Sequence, residues 1–322
     1  MDLTWFYPKN LTEFSFVLLI ALVADILYPF HSGVMYKIHP VHTAYFTALK
    51  IFRKLPKTKA VGIGIWFAVV STHLVFYGIL LYLSSILNRM LWLIVATYIL
   101  KVSISLKLLL DHVHKTAICI VNNDIVCARE AISGAVRRSV SQLEEGHISS
   151  AAIETLFENI VDGFVSPLLY YLIIGPLGAL FQRLVNTMDA ALGYKEGDFI
   201  KVGLFSAKAD DVVNYIPARL TMLLMITLCT LVKGSPRISI KIIKEEGKHI
   251  ESINGRVVIS AASGCLQVKL EKIGAYTVGR EYSLPKNSDI IKALKLSIYL
   301  CISFVLLELV LYMLYSSITA YG

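Results

Sequence analysis

The sequence predicts an all-α, polytopic integral membrane protein, with about four firm transmembrane helices and two broken or re-entrant helices around a polar site. Three observations predict it. The 322 residues are 56% hydrophobic and only 17% charged, with a mean hydropathy of +0.65, whereas soluble domains carry about 25% charged residues. Four runs, Leu11 to Phe30, Val61 to Ser84, Leu91 to Leu110 and Leu294 to Ser317, are long and apolar enough to cross a hydrocarbon core of about 30 Å. Two further runs, Phe164 to Leu184 and Val212 to Val232, are interrupted by Pro167, Gly175, Pro176 and Gly178, and by Asn214, Pro217 and Arg219. Broken polar helices of that kind line a cavity or pack inside protein rather than span lipid alone.

Along the chain this gives an N-terminal membrane region of three spans at 1–110, a central polar-site region at 111–232, a cytoplasmic segment at 233–293 and a last transmembrane helix at 294–322. Asp25 and Pro29 interrupt the end of the first run, which reads as a retained anchor rather than a cleaved signal. Lys50, Arg53, Lys54, Lys57 and Lys59 follow it, while the turn after the second run offers only Arg89, so the loop at 50–60 is expected on the cytoplasmic side. The basic stretch from Lys233 to Lys248 obeys the same rule if neither interrupted run crosses. The net charge of +8 fits attraction to an anionic inner leaflet, with an anionic substrate as the other reading. No nucleic-acid partner is expected. The five cysteines, Cys119, Cys127, Cys229, Cys265 and Cys301, are scattered and never in a C-x-x-C pair, and they read as ordinary buried residues rather than a disulfide framework or thiolate metal site.

The polar stretch after the third span predicts a helix from Asp124 to Leu143, stopped at Glu145-Gly146, and a second from Ser149 to Val161 with Ser149 or Ser150 as N-cap. On the first, Arg129, Ser133 and Arg137 recur every four residues as a basic stripe. Ion pairing between the two helices and phosphate binding both account for it. On the second, Glu154, Glu158 and Asp162 advance by four, a drift of about 40° per step, and share one face of an otherwise apolar helix. Acids confined to one side of such a helix face a polar cavity or a cation. Asn186 and Asp189, then Asp210, Asp211 and Asn214, form two more polar clusters flanked by apolar sequence. In the tail, ISIKII and VVISAA read as short strands or helices. There is no Walker A, G-x-G-x-x-G or H-E-x-x-H motif.

The clusters resemble one family, the adenosylcobinamide-phosphate synthases of cobalamin biosynthesis, or CobD/CbiB proteins. The matching pieces are HPV at His39 to Val41, AREAIS at Ala128 to Ser133, AIETLFENIVDGFVSPL at Ala152 to Leu168, GPLGALFQRLVNTMDAALGY at Gly175 to Tyr194 and DDVVNYIPARLT at Asp210 to Thr221. Two departures stand out: Arg137, Arg138 and Ser139 lie where the family has an acid, and Ser252 to Ile259 lacks the family's Asn-Ala-Gly-Trp-Pro-Glu run.

The resemblance implies an amide-forming ligase that attaches aminopropanol, or its O-phosphate, to adenosylcobyric acid at the expense of ATP. Activating a carboxylate as an acyl phosphate requires Mg²⁺ held by carboxylates and positive groups on the phosphates. Glu154, Glu158 and Asp162, with Asp210 or Asp211, are the expected metal ligands. Arg129, Arg183 and Arg219 are expected at phosphate or a corrinoid carboxylate. Asn159, Asn186 and Asn214 would orient substrate amides beside Asp189, with Tyr194 and Tyr215 as a platform for the ring. His39, His42, His112 and His114 are read as packing residues. The expected setting is the lipid bilayer of the cell membrane, multi-pass, with the site facing the cytoplasm beside other cobalamin-pathway enzymes. A transporter with intramembrane acids, or a non-catalytic membrane scaffold, would be the alternatives.

Overall fold

The computed structural model describes residues 5–136 and 139–321, with side chains as far as Ile318. Arg137 and Arg138, one of them a member of the expected basic stripe, lie outside the described residues. In chain order the helices are α1 (Leu11–Leu27), α2 (Gly33–Lys37), α3 (Pro40–Lys54), α4 (Lys59–Leu87), α5 (Arg89–Ser103), α6 (Leu106–Val121), α7 (Ile125–Ser133) and α8 (Glu145–Ile160). A π-turn at Val161–Val165 leads into α9 (Ser166–Ile174), α10 (Pro176–Leu192), α11 (Phe199–Val202), α12 (Leu204–Val213) and α13 (Tyr215–Leu228). Then come α14 (Pro236–Glu245), α15 (Gly255–Leu266), a hairpin of β1 (Leu270–Lys272) and β2 (Tyr276–Val278), and α16 (Asn287–Tyr321).

Local chemistry sets many of the starts. Asn10, Thr58, Asn88, Asp124 and Ser235 each accept a backbone N–H from the first turn they cap, satisfying a donor the helix cannot use itself. Proline opens α3, α9, α10 and α14, where its missing N–H costs nothing.

By length and composition, five helices can cross a membrane: Lys59–Leu87, Arg89–Val121, Glu145–Ile174, Tyr215–Val232 and Asn287–Ile318. The chain is a polytopic helical membrane protein. Phe76, Ile79, Leu83 and Leu87 on α4, and Ile298, Ile302, Leu306 and Val310 on α16, are exposed at helical spacing, as lipid-facing stripes are. Several boundaries differ from those expected. The first apolar run is helical for 17 residues and stops at Leu27. The third is interrupted after Ser103. The run at 164–184 divides at Gly175, whose φ of +79° suits glycine.

The chain forms two compact units that interleave in sequence. The first comprises the chain up to Ser105, Asp162–Asn214 and the chain from Leu307 on; the second comprises Leu106–Val161 and Tyr215–Leu306. In the first, Phe14 stacks on Tyr171 at 4.6 Å and on Tyr312 at 4.1 Å. The hydroxyl of Tyr171 donates to Phe14 O at 3.0 Å and that of Tyr312 to Pro8 O at 2.9 Å, so the buried phenols keep their polar ends satisfied. In the second, every residue of α15 except Arg256 is buried, packed against α8, α13 and α14. ISIKII and VVISAA are therefore both helical, and the strands lie further on, pairing Leu270 with Val278 and Lys272 with Tyr276.

The expected helix to Leu143 ends instead at Ser133. Side chains hold the chain at Ala135 and Leu143: Arg129 Nε donates to Leu143 O at 3.0 Å and Thr155 Oγ1 to Ala135 O at 3.2 Å. The next helix starts four residues early, with Glu145 in its first turn, where a negative charge meets the helix dipole. Ser149 and Ser150 are consequently interior residues, both fully buried. Cys119 and Cys127 are joined by a disulfide, with Cα atoms 5.6 Å apart, which corrects the reading of both as plain buried thiols. The turn at Asn122–Asp124 folds the end of α6 back onto the start of α7 and brings them together. Cys229, Cys265 and Cys301 are free and buried.

Candidate functional site

The polar centre of the first unit is built where two helices lose their regular repeat. Helix α5 ends at Ser103, and the Ser105 N–H donates to Gly163 O at 2.9 Å inside the π-turn. A Cβ on Gly163 would stand 2.7 Å from Ser105 Oγ, so any other residue there would force the serine hydroxyl aside. Interruptions of both kinds free backbone groups that polar side chains must satisfy, and they recur at functional sites. Here Arg183 on α10 reaches in, its Nη2 3.4 Å from Ser105 Oγ, while its Nε is buried without a hydrogen-bond partner.

A chain of amides runs beside it. Gln182 Nε2, fully buried, donates to Asn214 Oδ1 at 3.0 Å and lies 3.3 Å from Asp162 O. Asn214 and Asn186 in turn donate to Asp210 Oδ1 at 3.0 and 3.3 Å. Burial raises the Asp210 carboxyl well above the usual carboxylate range, reinforced by the charges of Asp162 and Asp189. Asp211 is raised less, again by burial first and then by Asp189. The carboxylates of Asp162, Asp25 and Asp210 act on the Arg183 charge. Expected residues Asp162, Arg183, Asn186, Asp189, Asp210, Asp211 and Asn214 therefore belong to one unit.

Sequence reasoning missed a basic group in the same unit. Lys101, 7% exposed, has its Nζ 3.0 Å from His31 Nε2. The His31 and His39 rings lie 4.5 Å apart, edge to face. His39 caps α3, its Nδ1 accepting the Val41 N–H at 3.3 Å. Burial lowers the His39 imidazole to about 3, helped by the charges of His31, Arg183, Lys101 and His42. His31 is lowered too, by burial and by Lys101. The one available signal was that Asp25 and Lys101 are charges set in apolar runs.

The remaining expected residues fall in the second unit. Glu154 is buried, and its two oxygens accept from Ser150 Oγ and Tyr276 OH, both at 2.6 Å. Glu158 Oε1 lies at the start of α15, 2.6 Å from where a Cβ on Gly255 would stand. The Asn159 amide donates to Thr155 O of its own helix at 3.0 Å. Arg129 gives its Nε–H to Leu143 O. Arg219 covers the Tyr215 ring at 3.5 Å and donates to Asn254 Oδ1 at 2.7 Å and Ile253 O at 3.1 Å, so it holds the divergent 252–255 loop. Tyr194, in the first unit, meets Phe199 edge-on at 5.3 Å.

The expected metal set is thus divided, Glu154 and Glu158 in one unit and Asp162, Asp210 and Asp211 in the other. The π-turn also breaks the four-residue repeat at Asp162, so the run of three acids is not a continuous α-helical stripe. Among the described residues, no three His, Cys, Asp or Glu side chains are gathered as a ready ligand set for a metal ion.

The CobD/CbiB protein family model matches residues 18–297. The chain belongs to the CobD/CbiB family. It is 40% identical over 281 residues to the probable cobalamin biosynthesis protein CobD of Aeropyrum pernix, covering 87% of this chain and 88% of that protein. The proteins so named in Methanothermobacter thermautotrophicus and Pyrococcus furiosus are 34% and 35% identical, covering 90% and 89% of this chain and 95% of each relative. No solved structure matches. Within the family match lie all of the expected site residues, in both units.

Proposed function

We propose that this chain acts in cobalamin biosynthesis, joining aminopropanol or its O-phosphate to the free carboxylate of adenosylcobyric acid at the expense of ATP. The observation that carries the reading is the first unit's polar centre. There Asp162 and Asp189 lie within electrostatic reach of Asp210, and Asp162 and Asp210 within reach of Arg183, where two interrupted helices meet. Acids for a cation beside bases for an anion are the parts that carboxylate activation by a nucleotide requires. The names of the relatives support the pathway.

The oxygens of Asp162 and Asp189 are hard donors suited to Mg²⁺, and a cation held there would offset the negative charge that, after burial, raises Asp210. These residues would hold it. Mg²⁺ keeps much of its water and commonly uses one or two carboxylates plus substrate phosphates, which suits acids not drawn into a closed set. Bound there, it would neutralise charge on the transferring phosphoryl group.

The chain's own residues do the rest. Arg183 faces the anionic substrate. Asn186 and Asn214 fix the Asp210 carboxylate through Oδ1, leaving Oδ2 to take the proton that the neutral amine sheds as its nitrogen attacks the acyl phosphate and inorganic phosphate leaves. A carboxyl raised above its usual range suits that transfer near neutral pH. Glu154 is assigned to anchoring the hairpin through Tyr276. The basic residues at 50–59 and the supply of ATP support a site facing the cytoplasmic side of the cell membrane. A transporter would use the same interrupted helices, but it would not make product.

The test is mass spectrometry of purified, detergent-solubilised protein with adenosylcobyric acid, aminopropanol phosphate, ATP and Mg²⁺, run beside Asp210→Asn. ATP-dependent product that vanishes in the variant is expected. Absence of product with every amino alcohol tried overturns the reading.

A further inference from the structure

The basic group at Lys101 is rich in donors and poor in acceptors. An ammonium has only donors, so the 3.0 Å contact makes His31 Nε2 the acceptor. The His31 proton then sits on Nδ1. His39 accepts the Val41 N–H at Nδ1, which leaves its proton on Nε2. Two Lys101 N–H groups remain beyond the one given to His31, and Arg183, whose charge reaches His39, keeps a buried Nε–H that no acceptor takes.

Asp25, 3% exposed, answers part of this charge. A simple structural ion pair would account for Lys101 and Asp25 alone. It would not account for two imidazole rings packed edge to face beside that ammonium, nor for the unpartnered guanidinium N–H. Several donors from separate elements suit an acceptor with several oxygens, and a phosphoryl group supplies three.

We propose that Lys101, His31 and His39, together with Arg183, form a binding site for the phosphoryl oxygens of a phosphate ester. The proposal rests on the reaction assigned above, which offers two sources of that chemistry: the phosphate of the amino alcohol and the polyphosphate of ATP. Lys101 supplies charge. The imidazoles supply directional N–H groups and, being neutral, add no further charge repulsion. His39, fixed as the cap of α3, sets the position of that helix end against the ligand.

Binding to the full-length protein in detergent, followed by calorimetric titration and ³¹P line broadening, tests this with inorganic phosphate as the probe. Wild-type protein binds it, Lys101→Met and His31→Gln weaken it at least tenfold, and the exposed-lysine control Lys241→Gln leaves it unchanged. Circular dichroism melts identify any variant that fails to fold, and Lys101→Arg, which keeps the charge, retains binding. Competition then assigns the source: displacement by aminopropanol phosphate points to the amino alcohol, and displacement by a non-hydrolysable ATP analogue points to the nucleotide. Equal phosphate binding by wild type, Lys101→Met and His31→Gln overturns the proposal, as does no phosphate binding at all. If binding depends on Lys101 but no amide forms with any amino alcohol, the site stands and the assigned reaction falls.

Discussion

The N–H of Ser105 donates to the carbonyl of Gly163 at 2.9 Å, tying the interruption after α5 to the π-turn before α9. The approach is close enough that a methyl group at position 163 would meet Ser105 Oγ at 2.7 Å. Gly163→Ala is therefore expected to destabilise the protein by about 1–3 kcal/mol, as overpacking does, and to reduce product formation. Thermal unfolding in detergent checks it, and Ser105→Ala should restore part of the loss in the double variant. No recovery would mean that the contact is not the cause.

Asp210 provides a second expectation, with a defined sign. Its folded carboxyl is raised above the ordinary value of 3.8 by burial and its acidic neighbours. The stability it contributes is complete below that value and is lost as pH rises through the higher folded value. Asp210→Asn should flatten this part of the pH dependence, leave the protein as stable or more so near neutrality, and lower turnover by a factor of about 100 or more. Melting curves across pH, paired with the product assay, separate the two effects.

His39 behaves in the opposite direction. Its imidazole is lowered from 6.5 to about 3 in the fold, so the unfolded chain binds the proton first. Stability is complete above pH 6.5 and falls as the solution is acidified toward 3. Replacing the ring with the cap-forming side chain in His39→Asn should weaken that decline. A variant whose melting temperature still drops as steeply between pH 7.5 and 5 would assign the effect to another group.

Glu154 accepts from Tyr276 OH at 2.6 Å and from Ser150 at the same distance. Tyr276→Phe removes a donor to a buried carboxylate and should cost about 1.5–3 kcal/mol. Glu154→Gln keeps the shape and should retain most product formation while lowering stability. Complete loss of product at unchanged stability would instead return Glu154 to the metal.

Much of the fold was readable where local chemistry decides it. The apolar runs inside α4 and α16, the Asp124 cap of α7 and the prolines that open α9 and α10 need no distant partner. The interruption after Ser103 was not readable, because residues 103–105 contain neither glycine nor proline and the bond that holds it comes from Gly163. Ser149 resembled a cap but is buried inside α8, since Glu145 starts the helix first. Of the site, the acids and amides of α10 and α12 could be read from their clustering, whereas Lys101 and His31 are seventy residues apart and carry no motif. The acid repeat at Glu154, Glu158 and Asp162 was read as one continuous α-helix, whereas Asp162 lies in the π-turn that follows α8, which a four-residue periodicity does not reveal.

The hydroxyl bond from Tyr312 to Pro8 spans 304 residues, and the same tyrosine closes the aromatic stack on Phe14. A ribosome adding about 5–20 residues per second delivers that partner on the order of 15–60 s after Phe14 has emerged. Throughout that interval the inward face of α1 lacks its final cover, although Tyr171 arrives midway. The first unit is thus begun first and finished last, and the residues of the second unit are all made in between. A stalled or truncated chain lacking the end of α16 would present an unsealed N-terminal helix, the kind of surface that membrane quality-control proteases recognise.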